Sequence, residues 1–323
     1  MGDSGTKISL AKCKLNIPFQ CISSTAGLVI ASDCGFVCAG VVLRGSSPNS
    51  SFDINGCTFN LTNESSLGIS SSHGHKTTVG NCIFNNGMCG IMIDSEAICD
   101  AKNSTFKGCR FGCRSRDSTM KLADCNMYEC QKCIYSFGIK GNMLAKDSKF
   151  EKIALNCVEC VSESWISLER CVIENSAICA VKATTSSNVS LADCKLVNCN
   201  TKVIVATGSS KIRRVSSNFE SMSGNGFDFS NNSEGFFENV VFRRCSGFGI
   251  LLTQSKLQMK TSQMSTVLSH CILGKQGSSL EASDCTFEFC NASAILMQSE
   301  DGTMIACKET TISANTVLNQ CIV

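Results

Sequence analysis

Apolar residues recur along the chain in short segments and not with helical spacing. Segments such as Ile8-Ser9-Leu10 and Val203-Ile204-Val205 reappear at short intervals, whereas no long stretch keeps apolar residues three and four positions apart. Short apolar segments bounded by turn residues are typical of strands, and spacings of three and four are typical of helices. The pattern therefore predicts a protein built of β-strands.

The segments repeat with a period of about 23 residues, which is typical of solenoid proteins. A column of mostly Cys and Ser anchors the repeat at nearly equal spacing: Cys13, Cys34, Cys57, Cys82, Ser104, Cys125, Ser148, Cys171, Cys194, Ser217, Val240, Ser262 and Cys285. A large apolar residue stands two positions after every anchor: Leu15, Phe36, Phe59, Phe84, Phe106, Met127, Phe150, Ile173, Leu196, Phe219, Phe242, Met264 and Phe287. Because both columns are present in every repeat, the repeats are predicted to have equivalent structures.

Asp or Asn often stands immediately before the anchor, as at Asp33, Asn81, Asn103, Asp124, Asp147, Asp193, Asn239 and Asp284. A mostly apolar column lies three positions before the anchor, and both columns can point inward only if the chain bends between them. Asp and Asn tolerate the left-handed conformation that such a bend requires. This role also explains Asp124 and Asp147, which are otherwise candidates for a retaining glycosidase pair in adjacent rungs.

A third apolar segment lies about halfway between one anchor and the next, as at Ile91 with Ile93 and Ile250 with Leu252. Three short strands and three turns per repeat are typical of one coil of a parallel β-helix. We predict an all-β, single-stranded right-handed parallel β-helix solenoid with about 13 rungs of about 23 residues over residues 6–310. It should form a single domain over 1–323, with residues 311–323 closing or continuing the last coil. Stacked coils should align the Cys and Phe columns as ladders in one narrow core.

Both ends of such a solenoid expose strand edges and need a cap. The first predicted strand begins by Ile8, the chain stops at Cys321-Ile322-Val323, and neither end carries an amphipathic helix. We therefore expect either a longer native chain or partners that cover the ends.

Charge and composition narrow the partner classes. The 323 residues include 29 Lys+Arg and 27 Asp+Glu, so a net charge of +2 predicts no overall attraction to nucleic acid or to an anionic membrane. No run of about 18 apolar residues is present, and Met1 to Thr6 lacks the features of a signal peptide. The 25 cysteines are therefore expected to be reduced, buried thiols in the cytoplasm.

The segments Ala123-Asp124-Cys125-Asn126-Met127 and Ser283-Asp284-Cys285-Thr286-Phe287 resemble the repeats of the pectin-lyase-like right-handed β-helix superfamily. More narrowly, they resemble the carbohydrate-binding and sugar-hydrolase β-helix repeats of secreted glycan-active enzymes and of intracellular F-box and adaptor proteins. The resemblance covers about residues 6–310 and implies the fold. Because enzymes and scaffolds share these core columns, it does not select an activity.

The catalytic motifs that the resemblance implies are incomplete here. Hydrolases of the superfamily use clustered aspartates beside a Gly-His-Gly turn and an Arg-Ile-Lys segment. The nearest matches are Ser72-His73-Gly74-His75-Lys76 and Lys211-Ile212-Arg213-Arg214, about six coils apart and thus too distant to act on one bond. We interpret them as a polar loop and a basic strand edge.

A basic stretch between Lys102 and Lys152 is the candidate binding face. Polysaccharide lyases of the superfamily use an outward Lys or Arg as base, often with calcium neutralising a uronate. The face consists of Lys107, Arg110, Arg114, Arg116, Lys121, Lys132 and Lys140. Because Asp117, Glu129 and Glu151 are interspersed, a solvated surface also explains the stretch; an acidic peptide, glycan or nucleic acid is the alternative.

Two CxxC pairs, Cys130 with Cys133 and Cys157 with Cys160, supply the residue inventory of a zinc site. Their offsets from the anchors differ, so only Cys133 and Cys157 should approach each other, and we expect core packing instead of metal binding.

Four further residues carry weaker candidate chemistry. His270 beside Cys271 has the residue types of a thiol nucleophile pair but is expected to be an ordinary turn histidine. Trp165 and Phe137 are candidate outward surfaces for a sugar or a peptide.

With three histidines, no coherent carboxylate cluster and no metal constellation, the sequence favours a non-catalytic scaffold or protein-recognition module without a cofactor. Such a module would belong to a larger protein or assembly and bind a protein partner. The alternatives are a glycan-active or glycan-binding β-helix, closer to a lyase than to a hydrolase, and a fragment of a surface or adhesin protein. A groove bordered by outward aromatic residues, with acidic and basic groups within one sugar's length, would favour the glycan alternative.

Overall fold

The computed structural model describes residues 6–298 and 304–313, and within them every regular element is a β-strand. No helix in these ranges is long and apolar enough to cross a membrane. The strands come in sets of three, as the three apolar segments of each repeat predict.

The first strands in chain order are β1 (Lys7–Ala11), β2 (Lys14–Ile17), β3 (Gln20–Ser24), β4 (Gly27–Ser32), β5 (Gly35–Cys38), β6 (Val41–Gly45), β7 (Ser50–Asn55), β8 (Thr58–Leu61), β9 (Leu67–Ser71), β10 (Lys76–Gly80), β11 (Ile83–Asn85), β12 (Cys89–Asp94), β13 (Ile98–Lys102), β14 (Thr105–Lys107), β15 (Phe111–Arg116), β16 (Thr119–Ala123), β17 (Asn126–Tyr128), β18 (Lys132–Phe137), β19 (Asn142–Lys146) and β20 (Lys149–Ile153).

The strands that follow are β21 (Asn156–Val161), β22 (Trp165–Glu169), β23 (Val172–Ser176), β24 (Cys179–Thr184), β25 (Asn188–Ala192), β26 (Lys195–Val197), β27 (Lys202–Thr207), β28 (Lys211–Val215), β29 (Asn218–Met222), β30 (Asn225–Ser230), β31 (Glu234–Glu238), β32 (Val241–Cys245), β33 (Ile250–Thr253), β34 (Lys256–Lys260), β35 (Gln263–Val267), β36 (Ile272–Lys275), β37 (Ser279–Ser283), β38 (Thr286–Cys290), β39 (Ile295–Met297), β40 (Met304–Lys308) and β41 (Thr311–Ser313).

The described residues form two compact units. The first contains the residues up to Val158 with Ser164–Ile166, and the second contains Glu159–Glu163 and the residues from Ser167. In each unit every third strand joins the same parallel sheet, so that a first sheet contains β1-β4-β7, a second β2-β5-β8 and a third β3-β6-β9, with the same progression up to β40, β41 and β39. The predicted parallel β-solenoid is confirmed, together with its number of turns and the length of its repeat.

The predictions about the two chain ends are tested only in part. Strand β1 begins at Lys7, immediately before the predicted start, and residues 311–313 form β41, which pairs with β38. Residues 1–5, 299–303 and 314–323, including Cys321-Ile322-Val323, lie outside the described residues. The single domain over 1–323 and the partners at the ends stay predictions.

The bend predicted before each anchor is present in the described coils. The residue before the anchor has a positive φ between 49° and 63° at Lys12, Asp33, Gly56, Asn81, Asn103, Asp124, Asp147, Arg170, Asp193, Ser216, Asn239, Thr261 and Asp284. This left-handed corner separates the strands of the first sheet from those of the second. The role predicted for Asp124 and Asp147 as bend residues is therefore confirmed.

Cys and Ser both occur at the anchor because the side chain of either residue can form the same hydrogen bond at the corner. The hydroxyl of Ser104 donates to the carbonyl of Lys102 at 2.9 Å and accepts the backbone N–H of Cys82 at 3.2 Å. The thiol of Cys125 donates in the same way to the carbonyl of Ala123 at 3.3 Å. A small side chain with a polar hydrogen satisfies a buried carbonyl at the bend, so the column tolerates either residue.

The column of large apolar residues forms an aligned ladder in the core. In the first unit Phe84 lies opposite Phe106, Phe106 opposite Met127 and Met127 opposite Phe150. The rings of Phe59 and Phe84 stack with centroids 4.5 Å apart, and those of Phe84 and Phe106 stack at 4.8 Å. In the second unit Met264 lies opposite Phe287 in the same way. The predicted ladder is confirmed.

Most of the described cysteines are buried thiols, as predicted. Burial raises the pKa of Cys89 to about 12 and that of Cys125 to about 11, which keeps these thiols protonated and poorly reactive. The prediction that the cysteines are reduced does not hold for Cys271 and Cys290, which form a disulfide.

The segment around His73 and His75 is only partly the polar loop that the sequence predicted. His73 is exposed, but His75 is fully buried against Phe52, with ring centroids 4.4 Å apart. Its Nδ1 lies 3.2 Å from the hydroxyl of Thr77, whereas its Nε2 has no hydrogen-bond partner within the described part of the chain. A Cβ on Gly45 would lie 2.1 Å from the imidazole, so this glycine provides the space for the ring.

Acidification should destabilise the first unit through His75. Burial lowers the pKa of His75 from 6.5 to about 4, so between these values the unfolded chain binds a proton that the folded chain excludes. The stability that the neutral ring provides is complete above the unfolded pKa and is lost as the pH falls towards the folded one. Urea unfolding should show a loss of about 2–3 kcal/mol between about pH 7 and pH 4.5.

A variant pair isolates this contribution. His75→Leu removes the titrating ring and should flatten the acid limb of the stability profile. His73→Ala removes an exposed imidazole two positions away and should keep the wild-type profile. Parallel profiles for His75→Leu and the wild type would contradict the assignment.

Candidate binding face

The outer surface of the third sheet in the first unit collects aromatic and basic side chains. Strands β12, β15 and β18 run in parallel register, with Met92 opposite Arg114 and Arg114 opposite Tyr135. On β15 Gly112 and Cys113 are buried, and on β18 Cys133 and Ile134 are buried. The other long side chains of the two strands, among them Arg114 and Tyr135, are on the outer side. The outward positions of the two strands therefore form neighbouring rows.

Arg114 is at the centre of these rows. Its guanidinium carbon lies 5.7 Å from the ring centroid of Phe111, 5.8 Å from that of Tyr135 and 5.0 Å from that of Phe137. The Tyr135 ring is itself 5.5 Å from Phe111 and 5.4 Å from Phe137. Three rings around one guanidinium restrict its rotamers and hold its N–H groups in a fixed orientation.

Lys132 completes the cluster from the neighbouring strand. Its Nζ lies 5.0 Å from the Tyr135 centroid and 5.7 Å from the Phe111 centroid. We call the five residues Phe111, Arg114, Lys132, Tyr135 and Phe137 the cation-aromatic face. All five are partly exposed, so a ligand on the outer surface can contact both the rings and Arg114.

The structure brings together four of the seven predicted basic residues. Arg114 and Lys132 belong to the cation-aromatic face, Arg110 lies 5.7 Å from the Phe111 centroid, and Arg116 lies 6.0 Å from the Phe137 centroid. Arg116 also forms an ion pair with Asp94 at 3.1 Å, at the rim of the face. These four residues support the predicted basic face, which as a binding site stays a prediction.

The other three basic residues lie elsewhere. Lys107 is on β14 in the second sheet and pairs with Glu129 at 3.8 Å. Lys121 is on β16 in the first sheet. Lys140 is in the turn after β18 and forms an ion pair with Glu96. They are separated because each period of the repeat distributes consecutive residues over three sheets.

A polar cleft of about 600 Å³ adjoins the cation-aromatic face at the turns between the second and third sheets. Its walls are formed by Asn60, Leu61, Thr62, Asn63, Glu64, Asn86, Gly87, Gly108, Arg110 and Gln131. Arg110 is common to the cleft and the edge of the face, so the two form one continuous surface.

The other thiol candidates are parts of the core. Cys130, Cys133, Cys157 and Cys160 are all buried, and Cys133 interacts with both Cys130 and Cys157. Among residues 6–298 and 304–313, no group of three or more His, Cys, Asp or Glu side chains has the geometry of a metal site.

The histidine and tryptophan candidates do not form sites either. Cys271 is in the disulfide, and Nδ1 of His270 accepts the backbone N–H of Ser293 at 3.2 Å, so this pair is no thiol nucleophile. Trp165 is 46% exposed but lies on β22 in the first sheet, apart from Phe137 in the third.

Phe111 and Tyr135 are the members of the face that the sequence interpretation missed. Both alternate with inward residues in segments at the predicted third-strand position, and both lie beside basic residues in the same segments. Aligning these segments by the repeat places the aromatic residues beside the basic ones. Searching for basic residues alone does not identify the face.

The sequence matches a family of known proteins over most of its length. The sequence model described as "Right handed beta helix region" matches residues 39–196 and 179–323. The chain belongs to the right-handed β-helix family. This membership confirms the resemblance to pectin-lyase-like β-helices and the predicted handedness.

Solved members of this fold are similar along nearly the whole chain. The periplasmic alginate epimerase AlgG aligns with a TM-score of 0.61 at 10% identity, over 92% of this chain and 77% of the epimerase. The catalytic domain of a GH87 α-1,3-glucanase in complex with nigerose aligns with a TM-score of 0.54 at 10% identity, over 96% of this chain and 64% of that domain. At this identity the likeness establishes the fold alone. No curated protein matches the sequence.

These comparisons correct the prediction of a non-catalytic scaffold or protein-recognition module. The similar solved β-helices are an epimerase and a glucanase, which favours the glycan alternative, and nothing in the comparisons supports a protein partner. The physical reason for the error is that the prediction weighed histidines and carboxylates. A surface that binds glycans can instead be made of rings and cations.

Proposed function

We propose that this chain is a glycan-active or glycan-binding β-helix protein whose cation-aromatic face holds an anionic sugar. The observation that carries the proposal is the position of Arg114 among the rings of Phe111, Tyr135 and Phe137. Among the described residues Arg114 forms no ion pair, so its N–H groups are available to a carboxylate of a ligand.

The rings and cations of the face match the apolar C–H surface and the carboxylate of a uronic acid. The C–H groups of a pyranose ring form an apolar surface that packs on aromatic rings, and its carboxylate accepts two parallel hydrogen bonds from a guanidinium. Lys132 adds a second positive charge beside the same rings. Rings without cations would favour a neutral sugar, and cations without rings would favour any anion.

The reaction class that fits this surface is proton abstraction from the carbon next to a carboxylate, which leads to β-elimination or epimerisation. Arg114 would neutralise the carboxylate and stabilise the charge that develops on it. Lys132 and Tyr135 are the candidate groups for exchanging the proton with the sugar carbon, since both belong to the cation-aromatic face. Hydrolysis would require two carboxyl groups across the glycosidic bond, and the described outer face of β12, β15 and β18 carries only Asp94, already paired with Arg116.

Arg114→Ala should weaken the binding of an acidic oligosaccharide by about tenfold to thirtyfold, because it removes a charge-assisted bidentate contact. Isothermal titration calorimetry with a uronate oligosaccharide measures the loss. Arg213→Ala is the matched control, since Arg213 is exposed and lies 5.5 Å from the Phe236 centroid in the second unit. An equal loss in both variants would contradict the proposal, and so would tighter binding of a single-stranded oligonucleotide of the same charge.

Turnover is tested separately from binding. Incubation with acidic polysaccharides, followed by ultraviolet detection of unsaturated products and by NMR of the sugar configuration, distinguishes elimination from epimerisation. Binding without turnover would identify a glycan-binding module. The cytoplasmic location expected from the sequence stays a prediction.

A further inference from the structure

The cleft beside the cation-aromatic face has a different chemistry from the face itself. Four carboxamide side chains line it, from Asn60, Asn63, Asn86 and Gln131, together with one acid, Glu64. Among the described residues of its walls, the single cation is Arg110, at the boundary with the face. The cleft is therefore rich in uncharged donors and acceptors.

The protein uses the amide oxygens of two of these side chains. Oδ1 of Asn60 accepts a hydrogen bond from Nδ2 of Asn85 at 2.9 Å, and Oδ1 of Asn63 accepts the backbone N–H of Ser65 at 3.0 Å. The Nδ2 groups of Asn60 and Asn63 form no hydrogen bond with the described residues, so both donors are available in the cleft wall. Gln131 is exposed, and the described residues offer its carboxamide no hydrogen-bond partner.

The local backbone keeps the cleft open. Asn86 adopts a left-handed conformation with φ of 62° at the corner after β11, which places its side chain in the cleft wall. A Cβ on Gly108 would lie 2.7 Å from Oδ1 of Asn86, so a larger residue at this corner would displace the carboxamide. The amide positions thus follow from the repeat geometry.

We infer that the cleft accepts an uncharged sugar unit, rich in hydroxyl or acetamido groups, next to the acidic unit on the face. The ligand would then be a heteropolysaccharide in which acidic and neutral sugars adjoin. Carboxamides match hydroxyl and acetamido groups because both sides donate and accept. A second uronate in the cleft would place its carboxylate near Glu64, with one shared arginine to neutralise it. This inference rests on the proposed function.

The test compares two oligosaccharides of equal length, one of uronate alone and one alternating uronate with N-acetylhexosamine. The wild type should bind the alternating chain about tenfold more tightly, as expected for two or three additional neutral hydrogen bonds. The double variant Asn60→Ala, Gln131→Ala should lose this difference and leave the affinity for the uronate chain unchanged. Gln258→Ala, which removes an exposed carboxamide in the second unit, is the matched control and should bind as the wild type does.

The outcomes separate the inference from the proposed function. If neither oligosaccharide binds, the proposed function fails and the inference fails with it. If both bind with equal affinity, or if the double variant weakens both alike while its circular dichroism and melting temperature match those of the wild type, the inference alone is overturned. Loss of discrimination in the double variant, with Arg114→Ala weakening both chains, supports it.

Discussion

Phe84→Ala should lower the free energy of unfolding of the first unit by about 3–5 kcal/mol, because it removes a whole ring from the core and leaves a cavity. Phe84 is fully buried, and its ring stacks on Phe59 at 4.5 Å and on Phe106 at 4.8 Å. The loss affects contacts with both neighbouring coils, and a solenoid derives its stability from such nearest-neighbour interfaces. Equilibrium urea unfolding followed by circular dichroism measures the effect.

The control for this variant is the preceding residue on the same strand. Ile83 is 43% exposed on the outer side of β11, so Ile83→Ala should cost much less than Phe84→Ala. If the two variants lose the same free energy of unfolding, the stacked rings do not make the contribution to stability that we assign to them.

Arg214→Met should raise the free energy of unfolding of the second unit by about 1–4 kcal/mol. Arg214 is fully buried, and its Nε, Nη1 and Nη2 have no hydrogen-bond partner in the described part of the chain. Its guanidinium carbon lies 4.1 Å from the centroid of Phe219, 4.3 Å from that of Phe227 and 5.1 Å from that of Phe237. Burial holds the pKa of Arg214 well below its ordinary value.

The sign of this prediction comes from two opposing contributions. Contacts with aromatic rings stabilise a desolvated cation by about 2 kcal/mol or more, whereas removing an ion from water costs several kcal/mol. Methionine fills a similar volume and packs well against rings without a charge. Arg213→Met changes the exposed neighbour and should leave stability nearly unchanged. A loss of stability in Arg214→Met would contradict this prediction and show that the ring contacts outweigh the cost of desolvation.

The repeat in the sequence was sufficient to predict the fold because the residues that repeat are those that face the core. The large apolar column marks interior positions that a polar residue of similar size would occupy only at a high cost in free energy. The anchor marks interior positions that require a small side chain. The corner was predicted only where Asp or Asn occupies it. Lys12 and Arg170 adopt the same left-handed conformation, which shows that hydrogen bonding of the coil can impose the backbone geometry on other residues.

The sequence analysis did not predict that Arg214 and His75 are buried, although the repeat indicates burial for Arg214. Arg214 lies three positions before the anchor Ser217, in the column that is otherwise mostly apolar, so the repeat itself places its side chain inside. His75 lies at the start of a strand that follows an exposed turn, where the pattern does not distinguish a loop residue from a core residue. Burial at strand ends depends on how the next coil packs, which sequence spacing does not give.

The candidate site was predicted in its basic residues but not in its geometry or its class of function. Arg114 and Lys132 belong to successive coils and approach the same rings because the stacking aligns β15 with β18. Counting possible catalytic residues led to a scaffold, since of the three rings around Arg114 the sequence analysis had named only Phe137 as an outward residue. The core columns do not determine which residues occupy the outer surface, so the distances between these rings and cations come from the structure.

The left-handed corner recurs at the same place in successive coils, and this regularity affects how such a protein can evolve. Each coil begins and ends with the same backbone direction, so a segment of one full period can be duplicated or deleted while its neighbours still find matching hydrogen-bond partners. Length is then a variable that selection can adjust in whole coils, and a row of ligand-contacting side chains can be lengthened without redesigning the interior.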